Sequence, residues 1–248
     1  MNQVQNIVIG GCPRSGTTVL NHLLNAYSYT YIGTELYKLD EYKNFSADFF
    51  SKEKIRGKAL ASLTQQKAKD AYIQKQLQKI EKAQWLGDKY PMIYRYWKNI
   101  STQIKGVIFI YTYRDLSQVK SSFHARYKNE NDSWSVQAER ALDYWQEAAN
   151  GIIECKSSLG ESVIIVKYED LFFCHKREEF YDIVYSLMSK LKMTEISSES
   201  DRSIEKIFQK SLEVSVARKN NLLSLDENEE KIESLLLPQL DELKWNGE

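Results

Sequence analysis

The run Ile7-Val8-Ile9-Gly10-Gly11-Cys12-Pro13-Arg14-Ser15-Gly16-Thr17-Thr18 passes from three β-branched residues into a glycine-bounded turn and on into a helical pattern. From Gly16 to Tyr27, the residues Val19, Leu20, Leu23 and Leu24 fall on one stripe. A strand that feeds such a helix through a glycine turn leaves a nest of backbone N–H groups at the helix N-terminus, a site built for phosphate. From Gly11 the spacing is G-x-x-x-x-G, as in a Walker A loop, but Thr17 stands where that loop carries lysine. Without the cation that reaches the β- and γ-phosphates, a kinase or ATPase becomes the weaker alternative. The basic residue lies inside the loop instead, at Arg14, where it can face a group attached to a 5′-phosphate. Thr17 and Thr18 add hydroxyl donors at the helix start.

Three further apolar runs, Trp85-Leu86, Val107 to Tyr111 and Val163 to Val166, have the character of strands. The longer two are continuous rather than alternating, which suits strands covered on both faces of a parallel sheet. Helical patterns fall between them, at Met92 to Ser101, Asp115 to Tyr127, Ser133 to Lys156, His175 to Leu191 and Glu227 to Leu243, the last with a capping-box pair Asp226 and Glu229. The polar stretch from about Lys58 to Lys82 is expected to form one long exposed helix, a solvated insertion spanning about residues 45–84, or else a lid over a substrate. This order predicts an α/β fold of P-loop type, three layers deep, with a central, mainly parallel sheet flanked by helices.

Length and charge narrow the field. With 248 residues the chain fits one domain, expected over residues 1–248. Its 34 basic and 34 acidic residues balance, which argues against a nucleic-acid coat or a polybasic membrane anchor, so any anion site must be local. The cysteines Cys12, Cys155 and Cys174 are odd in number and widely spaced, which fits neither a disulfide framework nor a zinc site. Histidines His22, His124 and His175 are isolated, and no metal site is expected. No leader pattern and no membrane-length apolar run is seen, so a soluble, cytoplasmic protein is expected.

A second anion site is expected after the run ending at Tyr111. Arg114 falls at a strand's C-terminal end, where open α/β sheets bind ligands. Ser122 and Arg126, four apart, share one face of the following helix, while Leu116, Val119 and Phe123 mark the packing face. Two arginines and a serine can converge on one phosphate, and Asp115 is expected to cap the helix.

Pro13-Arg14-Ser15-Gly16-Thr17-Thr18 resembles the 5′-phosphosulfate loop of sulfotransferases, particularly the tyrosylprotein sulfotransferase branch. Arg114 and Ser122, eight positions apart, are similar to that family's 3′-phosphate motif, and Arg126 matches a further basic residue of the branch. The resemblance implies a transferase that moves a sulfuryl group from 3′-phosphoadenosine 5′-phosphosulfate to an acceptor hydroxyl, releasing 3′,5′-adenosine bisphosphate, with no metal required. Ser15, Gly16, Thr17 and Thr18 would hold the 5′ end. Glu35, in Ile32-Gly33-Thr34-Glu35, corresponds to the second glutamate of a Gly-Glu-Glu segment and would be the base; Thr34 replaces the first. Lys89, in Gly87-Asp88-Lys89-Tyr90-Pro91, resembles the Lys-x-Pro element and would stabilise the leaving phosphate with Arg14. Tyr168 of the Tyr168-Glu169-Asp170-Leu171 segment would contact the nucleotide, and Glu169 and Asp170 would organise the next helix. Arg218 and Lys219 resemble a late basic pair that reaches the 3′-phosphate, although Asn220 replaces the glycine that follows it; Ser224 is a further candidate.

The motifs describe the donor half of the site, so a glycan, a tyrosyl peptide and a small phenol all stay open as acceptors, and a homodimer is allowed. Two alternatives stand beside the transferase: a P-loop kinase using ATP and magnesium held by Asp88 or Asp170, and a non-catalytic nucleotide-binding module.

Overall fold

The computed structural model describes residues 4–132, 135–174, 176–193, 197–219 and 222–247, with the side chains of 214–219 outside that description. Five parallel strands form one sheet: β1 (Gln5–Gly11), β2 (Thr30–Thr34), β3 (Trp85–Lys89), β4 (Ile108–Tyr113) and β5 (Val163–Lys167), in the order β2-β3-β1-β4-β5. Successive residues of β1 bury on opposite faces: Ile7 and Ile9 join one apolar cluster, Val8 the other. That two-sided burial is why the strands read as continuous apolar runs, and each buried aliphatic side chain contributes about 1.5–3 kcal/mol.

The helices are α1 (Thr17–Asn25), α2 (Lys52–Gln65), α3 (Asp70–Lys82), α4 (Trp97–Gln103), α5 (Leu116–Tyr127), α6 (Ala141–Leu159), α7 (Tyr168–Phe172), α8 (Arg177–Lys190), α9 (Ser198–Lys219) and α10 (Glu227–Leu243). Residues of α1, α7, α8 and α9 cover the Ile7 face, and residues of α2 to α6 and α10 cover the Val8 face. The α/β three-layer expectation therefore holds.

Several local expectations need correction. The Lys58 to Lys82 stretch is two helices, not one, because the chain turns at Lys67, which has φ of 54°. The pair is not simply solvated either, since Ile55, Ala59, Ile73, Leu77 and Ile80 are buried. Strand β2 has a single aliphatic residue, Ile32, and gains its order from pairing with β3 at the sheet edge. Helix α9, not expected from the sequence, is anchored chiefly by Ile204 and Phe208 against α1 and α7. Asp115 occupies the N-cap of α5 but makes no capping bond. Its carboxylate lies 3.2 Å from Lys167, and Glu233 of α10 accepts from the Leu116 amide at 2.6 Å instead. The capping box at Asp226 and Glu229 forms as expected.

Candidate active site

Because all five strands run the same way, their C-terminal ends share one edge, and each end delivers an expected site residue. The phosphate loop follows β1, Glu35 follows β2, Lys89 ends β3, Arg114 follows β4 and Tyr168 follows β5. The crevice between β1 and β4 is where the strand order reverses, the general ligand position in open α/β sheets.

The loop after β1 is tied down from below. Ser15 is fully buried, and its hydroxyl donates to the Cys12 carbonyl at 2.6 Å and contacts the Thr112 carbonyl and hydroxyl at 3.0 and 3.1 Å. Its amide also returns to the Cys12 carbonyl, at 3.0 Å. Ser15 thus fastens the loop to β4. Gly16 caps α1 with φ of 92° and offers no side-chain cap. Among the described residues, no acceptor takes the amides of Gly16, Thr17 and Thr18. A Cβ at Gly16 would come within 2.2 Å of the Tyr168 ring, so glycine serves both the left-handed turn and the close approach of that ring.

Arg14 also has positive φ, 74°, which aims its side chain across the crevice to α5, where Nε donates to Ser122 Oγ at 3.2 Å. Arg114 is only 1% exposed, with its guanidinium 4.4 Å from the centre of the Tyr168 ring, a cation–π contact. It donates to Gln118 at 2.8 Å and to the Arg14 carbonyl at 3.4 Å, and Trp145 fixes its own carbonyl at 2.7 Å. Arg14, Gly16, Thr17, Thr18, Arg114 and Tyr168 line one small cleft of about 90 Å³. The cleft thus brings Arg114 beside the loop after β1.

Beneath Arg114 lies a carboxylate that sequence reasoning assigned only to helix organisation. Glu169 Oε1 is 3.5 Å from Arg114 Nε, and neither Glu169 oxygen accepts a hydrogen bond among the described residues. Burial, reinforced by Asp115 and opposed by Arg114, raises its pKa to about 7. Asp170 pairs instead with Lys244, at 2.6 Å.

Two strands away, Lys89 Nζ donates to Glu35 Oε1 at 2.6 Å. Lys89 is 2% exposed and Glu35 47%, so the cation is held inside while the carboxylate reaches solvent. Glu35 has φ of 54° and is anchored by its amide to the Lys89 carbonyl at 2.8 Å. The neighbouring Asp88 is wholly buried and accepts from the Leu36 and Tyr37 amides and, at 2.8 Å, from Tyr42. Burial raises its pKa to about 6. Asp88 shapes the segment after Glu35, and with Asp170 on Lys244 the kinase alternative loses both carboxylates it asked to hold magnesium. Among the described residues no group of His, Cys, Asp and Glu forms a metal cluster.

Arg126 and Ser224 are not among the residues that line this cleft. Arg126 is held by a two-pronged ion pair with Asp132. The side chains of Arg218 and Lys219 lie outside the described residues, as does His175. Ser224 contributes a carbonyl to Lys120 at 3.2 Å, and the Leu223 amide donates to Ser121 at 2.8 Å, which lays this segment along α5. His22, isolated in sequence, is exposed on α1; partial desolvation, then Lys210 and Lys89, lower its pKa. No helix among the described residues is long and apolar enough to cross a membrane.

No curated protein sequence matches the chain. Solved structures do. The sulfotransferase domain from the curacin biosynthetic pathway superposes with a TM-score of 0.58 at 17% identity, covering 95% of this chain and 98% of that one. The sulfotransferase domain of the Synechococcus PCC 7002 olefin synthase gives 0.54 at 14% identity, covering 98% and 94%. The sulfotransferase STF9 from Mycobacterium avium gives 0.51 at 12%, covering 96% and 76%. These likenesses establish the fold. The model of the sulfotransferase family matches residues 6–178, from β1 to the start of α8. That span holds the loop, the strand ends and the arginine-led helix, and by it the chain belongs to the sulfotransferase family.

Proposed function

We propose that the sulfuryl donor is 3′-phosphoadenosine 5′-phosphosulfate and that the chain works as one catalytic domain. The observation that carries this reading is the cleft in which unsatisfied amides of α1 meet Arg14 and Arg114. Three N–H groups at a helix N-terminus form an anion cradle without lysine. Arg14, linking the loop to Ser122, stands between that cradle and α5. Ser122 and Arg126 extend the grip toward a 3′-phosphate, with Asp132 as the group a ligand phosphate displaces from Arg126.

When bound, the donor supplies the sulfuryl group: a sulfur–oxygen bond to the acceptor forms as the bond to the phosphate oxygen breaks, and 3′,5′-adenosine bisphosphate leaves. Glu35 takes the proton of the acceptor hydroxyl, since its carboxylate is the exposed member of the pair with Lys89. Lys89 uses one of three donors on Glu35 and keeps two for the negative charge that develops on the leaving oxygen. Tyr168 stacks on Arg114 and closes the back of the cleft.

The test is transfer of labelled sulfate to a mixed panel of glycan, phenol and tyrosyl-peptide acceptors, with Glu35→Gln in parallel. Transfer by the native chain and its loss in the variant, with bisphosphate binding retained, supports the proposal. Equal transfer by the variant contradicts Glu35 as base, and no transfer to any acceptor together with no bisphosphate binding contradicts the donor.

A further inference from the structure

A second, larger cleft of about 610 Å³ opens beside Glu35, bounded by α1, β2, the α2–α3 pair and α9. Thr34 and Leu36, the neighbours of Glu35 in sequence, belong to its wall. Among the described residues the wall carries Lys79, Lys206 and the exposed His22 but no carboxylate, although acids and bases balance over the whole chain. Lys79 donates to the Asn25 carbonyl, and no carboxylate pairs with it or with Lys206 among the described residues. Its neighbour on α3, Lys75, does have such a partner, Glu199 at 2.5 Å. Burial, reinforced by Lys75 and opposed by Glu199, lowers the Lys79 pKa to about 8. A cation desolvated and not directly paired with a carboxylate is stabilised by an incoming anion.

The same wall discriminates among hydroxyl compounds. A peptide acceptor would gain most by adding a strand to the free edge of β2. That edge is taken by side chains of α1. Asn25 accepts from the Ile32 amide at 2.9 Å and donates to the Ile32 carbonyl at 2.7 Å, and Asn21 donates to the Gly33 carbonyl at 3.2 Å. A small phenol calls for a closed apolar slot, whereas this cleft is open and presents Tyr72 and Gln76 beside its lysines. We propose that the cleft is the acceptor site, and that the acceptor is an anionic carbohydrate whose hydroxyl meets Glu35 while a carboxylate on the sugar meets Lys79 and Lys206. The inference rests on the transferase reading above. In the step, the sugar oxygen gives its proton to Glu35 and gains the sulfuryl group, while the nucleotide bisphosphate departs.

The experiment is calorimetric titration of the full chain, saturated with 3′,5′-adenosine bisphosphate, with a uronic-acid oligosaccharide, its carboxyl-reduced counterpart and an acidic tyrosyl peptide. The uronic acid form should bind about tenfold or more tightly than the reduced form. Lys79→Gln with Lys206→Gln should erase that difference and leave bisphosphate affinity unchanged. Lys206→Gln alone, at an exposed position, should reduce the difference severalfold in a chain that folds normally. Equal binding of the two sugars, no binding of either, preference for the peptide, or a preference that survives both substitutions would overturn the assignment. A chain that binds the charged sugar selectively but not the bisphosphate would keep the cleft and remove the donor; with bisphosphate bound and the sugar ignored, the reverse holds.

Discussion

Arg14 Nε and Ser122 Oγ stand 3.2 Å apart, though 108 residues separate them in the chain. This bond joins the loop after β1 to the middle of α5, so that the cradle proposed for one phosphate and the helix face proposed for another have a common wall. A nucleotide phosphorylated at both ends can span such a wall. A 5′-monophosphate can occupy only the loop half.

Ser122→Ala should therefore separate the two halves. Affinity for 3′,5′-adenosine bisphosphate is expected to fall about tenfold, the effect of one hydrogen bond to a charged group, while affinity for 5′-adenosine monophosphate changes by less than about threefold. Calorimetry with both nucleotides measures this. Equal losses for the two would place Ser122 outside the 3′ site.

Lys89→Met tests the ion pair with Glu35. The side chain is buried, and methionine keeps an unbranched chain one atom shorter and without charge. Turnover should fall about 10²- to 10³-fold, the cost of losing one preorganised donor to a developing oxyanion, with bisphosphate affinity nearly intact. Rate measurements at saturating donor, paired with nucleotide titration, separate the two effects. A loss seen only in donor affinity would make Lys89 a binding residue.

How much of this was readable beforehand depended on how local the signal was. The loop from Gly10 to Thr18 lies in one contiguous run, so its place between β1 and α1 was legible. The place of Arg114 was legible from the strand that precedes it, and that of Ser122 from helical spacing. The Arg14–Ser122 bond, by contrast, depends on β4 pairing beside β1, a non-local fact no window of sequence contains. Strand β2 was obscure because edge pairing, not apolar content, orders it, and α9 because its few buried residues stand among charges. Glu169 looked like a helix-start carboxylate; only the burial of Arg114 beside it gives it another part. His22 appeared isolated for the same reason, since Lys89 and the cleft reach it only through the fold.

Gly16→Ala should abolish nucleotide binding. The added Cβ meets the Tyr168 ring at 2.2 Å, and φ of 92° is unfavourable for any side chain. Stability should drop by about 1–3 kcal/mol, measured by denaturant unfolding. Adding Tyr168→Ala should recover part of that loss but not nucleotide binding, because the ring that backs Arg114 is then gone. Normal nucleotide affinity in Gly16→Ala would show that the loop does not act through this geometry.

Glu169 predicts a pH dependence. Its pKa is raised from 4.5 to about 7 in the folded chain, so the native state holds a proton that the unfolded chain releases. This group's contribution to stability is fullest below about pH 4.5 and is lost as pH rises through 7. Over the same window the ionised carboxylate competes for Arg114. Bisphosphate affinity should therefore weaken between pH 6 and 8, and Glu169→Gln should flatten that profile; an unchanged profile would remove Glu169 from the account.

The most direct measurement is thermal stability of the native chain with 3′,5′-adenosine bisphosphate, 5′-adenosine monophosphate and magnesium ATP compared side by side. At about one hundred times its dissociation constant the bisphosphate should add about 2.7 kcal/mol and raise the midpoint, with the monophosphate markedly weaker and magnesium ATP without its own advantage. No shift at saturating bisphosphate, or a shift that magnesium ATP alone produces, would contradict the two-phosphate site on which the account stands.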